Sequence, residues 1–395
     1  MRPTTPRQGS PRAAVAVACV ALFTDMFVYG LAIPVLPLLP ATVGAGPAAT
    51  GLLFASYAAA MLAATPVAGV LVDRFGSRVP LVVGLLGLAA ATLLFAVGGP
   101  FWLLLVARTL QGAAAGAAWV AGFALIAAAV PLASRGRAMG LAMSMVSVGI
   151  LVGPPVGGVL VEQLGTTAPF LLAAALAVVD GIVRLLLAPS AEPVRDDPTS
   201  PLTVLRVPGT ASVLAVALLS AATIAAIEPL LPLHLTRSLD ATPVHVGLLF
   251  GLTVLVGAVL NPVVGGLLGR VDARFLVLVG VVAAVAGLVL VAVGSSSGAV
   301  VVGMVALGVA VAFFSAPSTT LVGIQGQQTA PPALGGAYTL FNLAYATGLM
   351  VGPALGGVLT ETLGHGRGLV VLAGLVLAGG LVALRRLPSA RWGGA

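Results

Sequence analysis

The chain has 395 residues, of which 59% are hydrophobic and 7% charged, with a net charge of +7 and a mean hydropathy of +1.17. A soluble globular domain carries about 25% charge, so this composition excludes a chain solvated mainly by water and calls for lipid. The positive balance rests on arginine alone, since there is no lysine, and the arginines form no coherent basic face; no nucleic-acid partner is expected.

Crossing about 30 Å of hydrocarbon takes roughly 20 apolar helical residues. Such runs follow one another at 13–40, 49–72, 79–99, 101–130, 138–162, 166–188, 210–236, 244–268, 274–294, 298–322, 334–361 and 366–386, which predicts twelve transmembrane helices. The runs are rich in Leu, Ala, Val and Gly and lack the alternation of barrel strands. The fold class is therefore an all-α membrane protein.

A short basic tail, MRPTTPRQGSPR, precedes span 1 with no small-residue cleavage site after a short apolar core, so it reads as retained. Span 1 holds the single cysteine, Cys19, which rules out a disulfide framework and a thiol metal site. It also holds Asp25. Span 4 holds Arg108, and span 7 holds Glu228 directly before Pro229. A charge at a helix centre costs about 2.5 to 3.5 kcal/mol even on the lenient insertion scale, so these three are the prime functional candidates. At 1.5 Å per residue, Asp25 and Arg108 lie about 18 Å and about 10 Å from opposite faces, similar depths in a core about 30 Å thick. They could handle protons or simply lock two helices as a buried pair.

Span 6 places Asp180 four residues before Arg184, a spacing that favours a pair along one helix. The polar stretch 189–208 reads as a linker. Glu162 and Glu361 fall near the ends of spans 5 and 11 and read as lip residues, and His234, His245 and His365 lack metal-ligand spacing or a nucleophile partner. No enzyme chemistry, metal or other cofactor is expected. With the N-terminus cytoplasmic, fifteen arginines fall in inside segments and Arg237 and Arg367 fall outside. A multi-pass bacterial inner-membrane protein with both termini cytoplasmic is the expectation.

An internal repeat organises the chain. GILVGPPVGGVLVEQLG at 149–165 recurs at 348–364 as GLMVGPALGGVLTETLG, identical at 11 of 17 positions, and IPVLP at 33–37 recurs as EPLLP at 228–232. Spans 1–6 are thus duplicated in parallel as spans 7–12. The expected organisation is a six-helix bundle at 1–188, a linker at 189–208 and a second bundle at 209–395, an arrangement suited to alternating access.

GVLVDRFGSR after span 2, LLVARTLQGAAAG in span 4 and the glycine spacing of span 5 resemble motifs of the major facilitator superfamily. TDMFVYGLAIPVLP, GTTAPFLLAAALAVVDG, IEPLLPLHL and LMVGPALGG make the chain most similar to vesicular amine transporters and their bacterial multidrug-exporter relatives. The resemblance implies a proton-coupled antiporter that exports lipophilic organic cations or amines as a monomer. Proton-coupled metabolite uptake and a non-transporting receptor or scaffold are the alternatives.

On that resemblance Asp25, Arg108 and Glu228 handle protons. Glu228 and Asp25 bind the cation, among the candidate lining residues Phe54, Tyr57, Phe314, Tyr338, Asn342 and Tyr345. In the loop motif Gly69 allows a close helix contact, and Asp73, Arg74, Gly76 and Arg78 form a gate latch. Gly149, Gly153, Pro154, Gly157 and Gly158 form a seal in span 5, repeated by Gly352 and Pro353 in span 11. The chain departs from the vesicular pattern in having Tyr57, Asn342 and Ser315 where those transporters have a lysine and two aspartates. Tyr57 and Asn342 are expected to lie together as a neutral substitute for an ion pair.

Overall fold

The structure, a computed structural model, describes residues 11–187, 201–294 and 296–388. The N-terminal tail, the bundle boundary at 188 and most of the predicted linker lie outside the described residues, as does the side chain of Asp73. The described backbone is helical almost throughout. Its elements are α1 (Pro11–Ala32), α2 (Pro40–Ala45), α3 (Pro47–Phe75), α4 (Arg78–Val97), α5 (Phe101–Ala129), α6 (Leu132–Leu164), α7 (Ala168–Leu187), α8 (Leu202–Leu205), α9 (Thr210–Ile227), α10 (Leu231–Ser238), α11 (Pro243–Leu267), α12 (Ala273–Val293), α13 (Ser297–Gln327), α14 (Leu334–Leu363) and α15 (His365–Arg386).

Eleven segments among the described residues are long and apolar enough to cross a membrane. Helix α7, with 20 residues, accounts for the remaining predicted span. Two predicted spans are interrupted. The run at 13–40 leaves the α-helix after Ala32 and continues through a 3₁₀ turn at Leu36–Leu38, and the run at 210–236 breaks between Ile227 and Leu231 into α9 and α10. Pro34 and Pro229 explain both breaks, because proline has no N–H to donate and disfavours helical geometry in the residue before it. These are the duplicated IPVLP and EPLLP positions.

Chain contacts divide the protein into two compact units, Met1–Val35 with Ala59–Asp196 and Leu36–Ala58 with Asp197–Ala395. In the first, α1 packs against α5, α6 and α7, while α4 packs against α5 and α7. In the second, α9 packs against α13, α14 and α15, while α12 packs against α13 and α15. The sequence repeat is thus expressed as a repeated packing scheme.

Small residues set the tightest seam in each unit. A Cβ built on Gly149, Gly153 or Gly157 of α6 would lie 2.7 Å from Phe23 O, 2.8 Å from Phe27 O or 2.6 Å from Leu31 O of α1. On α14, Gly348, Gly352 and Gly356 meet Leu218 O, Ala222 O and Ala226 O of α9 at 2.3, 2.4 and 2.8 Å in the same construction. Backbones approach this closely only where no side chain intervenes. Large apolar side chains such as Val83, Leu86 and Val282 are more than half exposed, as expected of surfaces that face lipid tails.

Glu361 has a more specific place than a lip residue. Its Oε2 accepts a hydrogen bond of 2.8 Å from the backbone N–H of Ala48, in the first turn of α3. Beside it, a Cβ on Gly51 would come within 2.3 Å of Pro353 O, and one on Gly357 within 2.6 Å of Pro47 O. The carboxylate therefore caps an orphan N–H and complements the positive end of the helix. Glu361→Ala should lower stability by about 1 kcal/mol, the usual worth of an N-terminal cap, and Glu361→Gln by less because its amide oxygen can still accept. Thermal unfolding in detergent checks this; an unchanged midpoint for Glu361→Ala would show that the cap is not stabilising.

Candidate functional site

The first cluster lies in the unit built around α1. Asp25 is 2% exposed and its Oδ2 accepts a hydrogen bond of 2.8 Å from Trp119 Nε1 on α5. Four residues along α1, on the same face, the ring of Tyr29 lies 5.1 Å beneath the Arg108 guanidinium, an arrangement that stabilises the cation through the ring quadrupole. Arg108 is 0% exposed and also donates to Gln111 Oε1 at 3.0 Å, whose amide nitrogen donates to Thr92 Oγ1 on α4 at 3.0 Å. On the other flank, Asp180 and Arg184 of α7 form the expected pair, both buried.

The second cluster lies around the break between α9 and α10. Glu228 occupies the C-cap of α9 and is 3% exposed. Tyr345 of α14 lies within electrostatic reach of it. Ser315, at a position where the vesicular pattern has an aspartate, is 3.4 Å from Ser220 through their hydroxyl oxygens. Phe54 and Tyr57 are buried on α3, whereas Tyr338, Asn342 and Tyr345 are exposed along α14. Phe314 lies on α13. A Cβ on Gly280 of α12 would come within 2.9 Å of its ring, and the side chain is 1% exposed, so Phe314 packs the α12–α13 seam.

Among the gating residues, Gly76 closes α3 with φ +73°, a left-handed conformation that favours glycine. Arg74 and Arg78 are exposed. Gly69 differs from expectation: an added Cβ would meet nothing within 4 Å, so it provides no close contact in this conformation. The Cδ of Pro154 abuts Gly30, which a Cβ would bring to 2.9 Å, and Gly158 is buried beside it.

A family model described as Major Facilitator Superfamily matches residues 18–322 and, in a second match, 213–393. The chain belongs to the major facilitator superfamily. It is a multi-pass membrane protein, as this family and the membrane-length apolar helices among the described residues indicate. The chain is 32% identical over 320 residues to the chromaffin granule amine transporter of Rattus norvegicus, covering 80% of this chain and 61% of that protein. It is 30% identical over 318 residues to the synaptic vesicular amine transporter of Bos taurus, with 80% and 61% covered. It thus spans about three fifths of the length of these relatives. Among solved structures it resembles a bacterial homolog of the human lysosomal transporter Spinster, inward-facing and unoccupied, with TM-score 0.78 at 15% identity over 95% of this chain and 96% of that one. It also resembles the nucleoside transporter NupG, with TM-score 0.75 at 14% identity over 94% and 98%.

Several polar partners in this superfamily member were not legible in the sequence. Trp119 carries no sequence signal of a polar role, yet it donates to a carboxylate 94 residues away. The rings of His234 and His365 stack at 3.8 Å, and no spacing rule joins residues on α10 and α15. The glycine seams were legible because their period of about one helical turn is itself the signal.

Proposed function

We propose that the chain is a proton-coupled antiporter that exports lipophilic organic cations or amines by alternating access, from a bacterial plasma membrane, as a monomer with both termini cytoplasmic. The observation that carries this reading is that Asp25 and Glu228, the membrane carboxylates of the two units outside the Asp180–Arg184 pair, are both buried, at 2% and 3% exposure. Burial penalises a charged carboxylate unless a proton or a cation neutralises it. A bound organic cation favours the ionised form and expels the proton, and the returning proton expels the cation. Mutual exclusion of this kind, read out alternately on the two sides of the membrane, is antiport.

Glu228 is the main cation-binding carboxylate, with aromatic faces on α14 that suit a lipophilic cation. Asp25 is the main proton carrier, assisted by Arg108. Similarity to two amine transporters supports the substrate class, and the glycine seams beside both carboxylate-bearing helices support a gate.

Energised everted vesicles should accumulate cationic amines or dyes, and a protonophore should abolish the accumulation. Uptake that survives collapse of the gradient defeats the antiport reading. In the same vesicles Glu228→Gln should weaken a cationic substrate at least tenfold, the loss of one buried charge partner, with neutral substrates nearly unchanged. Equal weakening of both classes would remove Glu228 from cation recognition.

A further inference from the structure

The rings of His234 on α10 and His365 at the start of α15 stack with centroids 3.8 Å apart and planes 13° from parallel. Two neutral imidazoles hold such a contact, and one proton is tolerated, because a cation sits well over an aromatic face. A second proton sets two like charges against each other at that distance. His365 is the ring less able to carry a charge in place. Its Nε2 is buried with no hydrogen-bond partner among the described residues, so a proton there is a donor without an acceptor. It also stands in the first turn of α15, where the helix dipole disfavours a cation. His234 has a hydroxyl within reach, with Nδ1 3.4 Å from Ser238 Oγ. The element secured by the stack is thinly held. Helix α10 has eight residues, packs mainly against α11 and the 3₁₀ turn at Leu36–Leu38, and follows directly on the break after Ile227 that carries Glu228.

No charge nearby compensates a doubly protonated pair. The charged and titratable groups on the elements around it are Arg237 on α10, Asp240 after it, His245 on α11, Glu228 at the C-cap of α9, Glu361 at the end of α14 and Arg367 on α15. Helix α12, whose end meets the start of α15 where a Cβ on Gly366 would lie 3.0 Å from Ala292 O, has only Arg274 at its opposite end, and the 3₁₀ turn has none. Among the described residues no carboxylate forms an ion pair with either ring, and Glu361 is engaged by the N–H of Ala48. We infer that the His234–His365 stack is an acid-opened clasp between α10 and α15, which holds while at most one ring is charged and parts when both are. Its opening frees the helix that leads out of the break beside Glu228. The clasp stands on the ring geometry. Its role in transport rests on the antiport and topology proposed above, under which it lies toward the outer side, where the proton arrives and the cation leaves.

Spin labels on Arg237→Cys and Arg367→Cys, exposed neighbours of the two rings, report the distance from α10 to α15 in the full chain, with Cys19→Ser removing the one native thiol. Acidification from about pH 8 to about pH 5, the span in which imidazole takes up its proton, should lengthen that distance. In the same labelled background His234→Phe with His365→Phe keeps two stacked rings that take up no proton, and its distance should stay constant. If that variant does not fold, His365→Phe alone decides, because a charged His234 over a phenyl ring remains a favourable stack. An unmoved distance without the Phe substitutions, or the same lengthening with them, overturns the clasp. In proteoliposomes, acid on the outer side should speed exchange of a cationic dye in the parent and not in the Phe variant; opening with equal exchange overturns its role in transport. Failure of antiport is read separately, since accumulation that ignores a protonophore refutes that reading whether or not the labels move.

Discussion

Gly153→Leu is expected to reduce transport to near background while the chain still inserts into the membrane. Even a single Cβ at this position would lie 2.8 Å from Gly30 Cα and 2.8 Å from Phe27 O, so the neighbour across the seam is backbone and cannot rotate away. A leucine must push α1 and α6 apart. Overpacking of a fitted interior costs about 1 to 3 kcal/mol and sometimes more, and here the displaced helix carries Asp25 away from Trp119. Insertion depends on span hydropathy, which leucine does not diminish. Gly140→Leu is the internal control, because an added Cβ there meets nothing within 4 Å. Vesicle transport normalised to membrane-inserted protein separates the two; full activity of Gly153→Leu would show that the seam does not matter for transport.

Asp25→Asn is expected to abolish gradient-driven accumulation, with substrate binding reduced no more than a few-fold. The asparagine carbonyl can accept the same hydrogen bond from Trp119 Nε1, so the geometry at α5 is retained while the titratable charge is lost. The effect therefore isolates charge from shape. Trp119→Phe gives the complementary case, in which the charge stays and its donor is removed, and it should slow transport while proton release on substrate addition persists. Proton release measured with a pH-sensitive dye, alongside equilibrium binding, decides the matter. Release at the parental level from Asp25→Asn would assign the proton to another group.

The sequence by itself determined the class of molecule, the spanning segments, the duplication and the glycine seams. Each is written in a local pattern: a run of apolar residues about as long as the bilayer is thick, or small residues repeating on one helix face. Even the breaks in spans 1 and 7 were there to read in IPVLP and EPLLP, although hydropathy alone passes over them because proline and its apolar neighbours do not lower the average enough to mark a boundary. Asp25, Arg108 and Glu228 stood out for a similar reason, as charges within apolar runs. The Asp180–Arg184 pair followed from a spacing of four.

What only the tertiary structure decided is which side chains from different helices meet. Trp119 reaches Asp25 across 94 residues of chain, and Glu361 caps the start of α3 across 313. Phe314 turned out to pack against Gly280, and Gly69 has no close neighbour, because a motif or an aromatic stretch does not say which way a helix is rotated toward its neighbours. Rotation about the helix axis is fixed by packing against every surrounding helix at once. In this chain nearly all surfaces are apolar, so the difference between a lipid-facing and an inward-facing residue leaves little trace in the sequence.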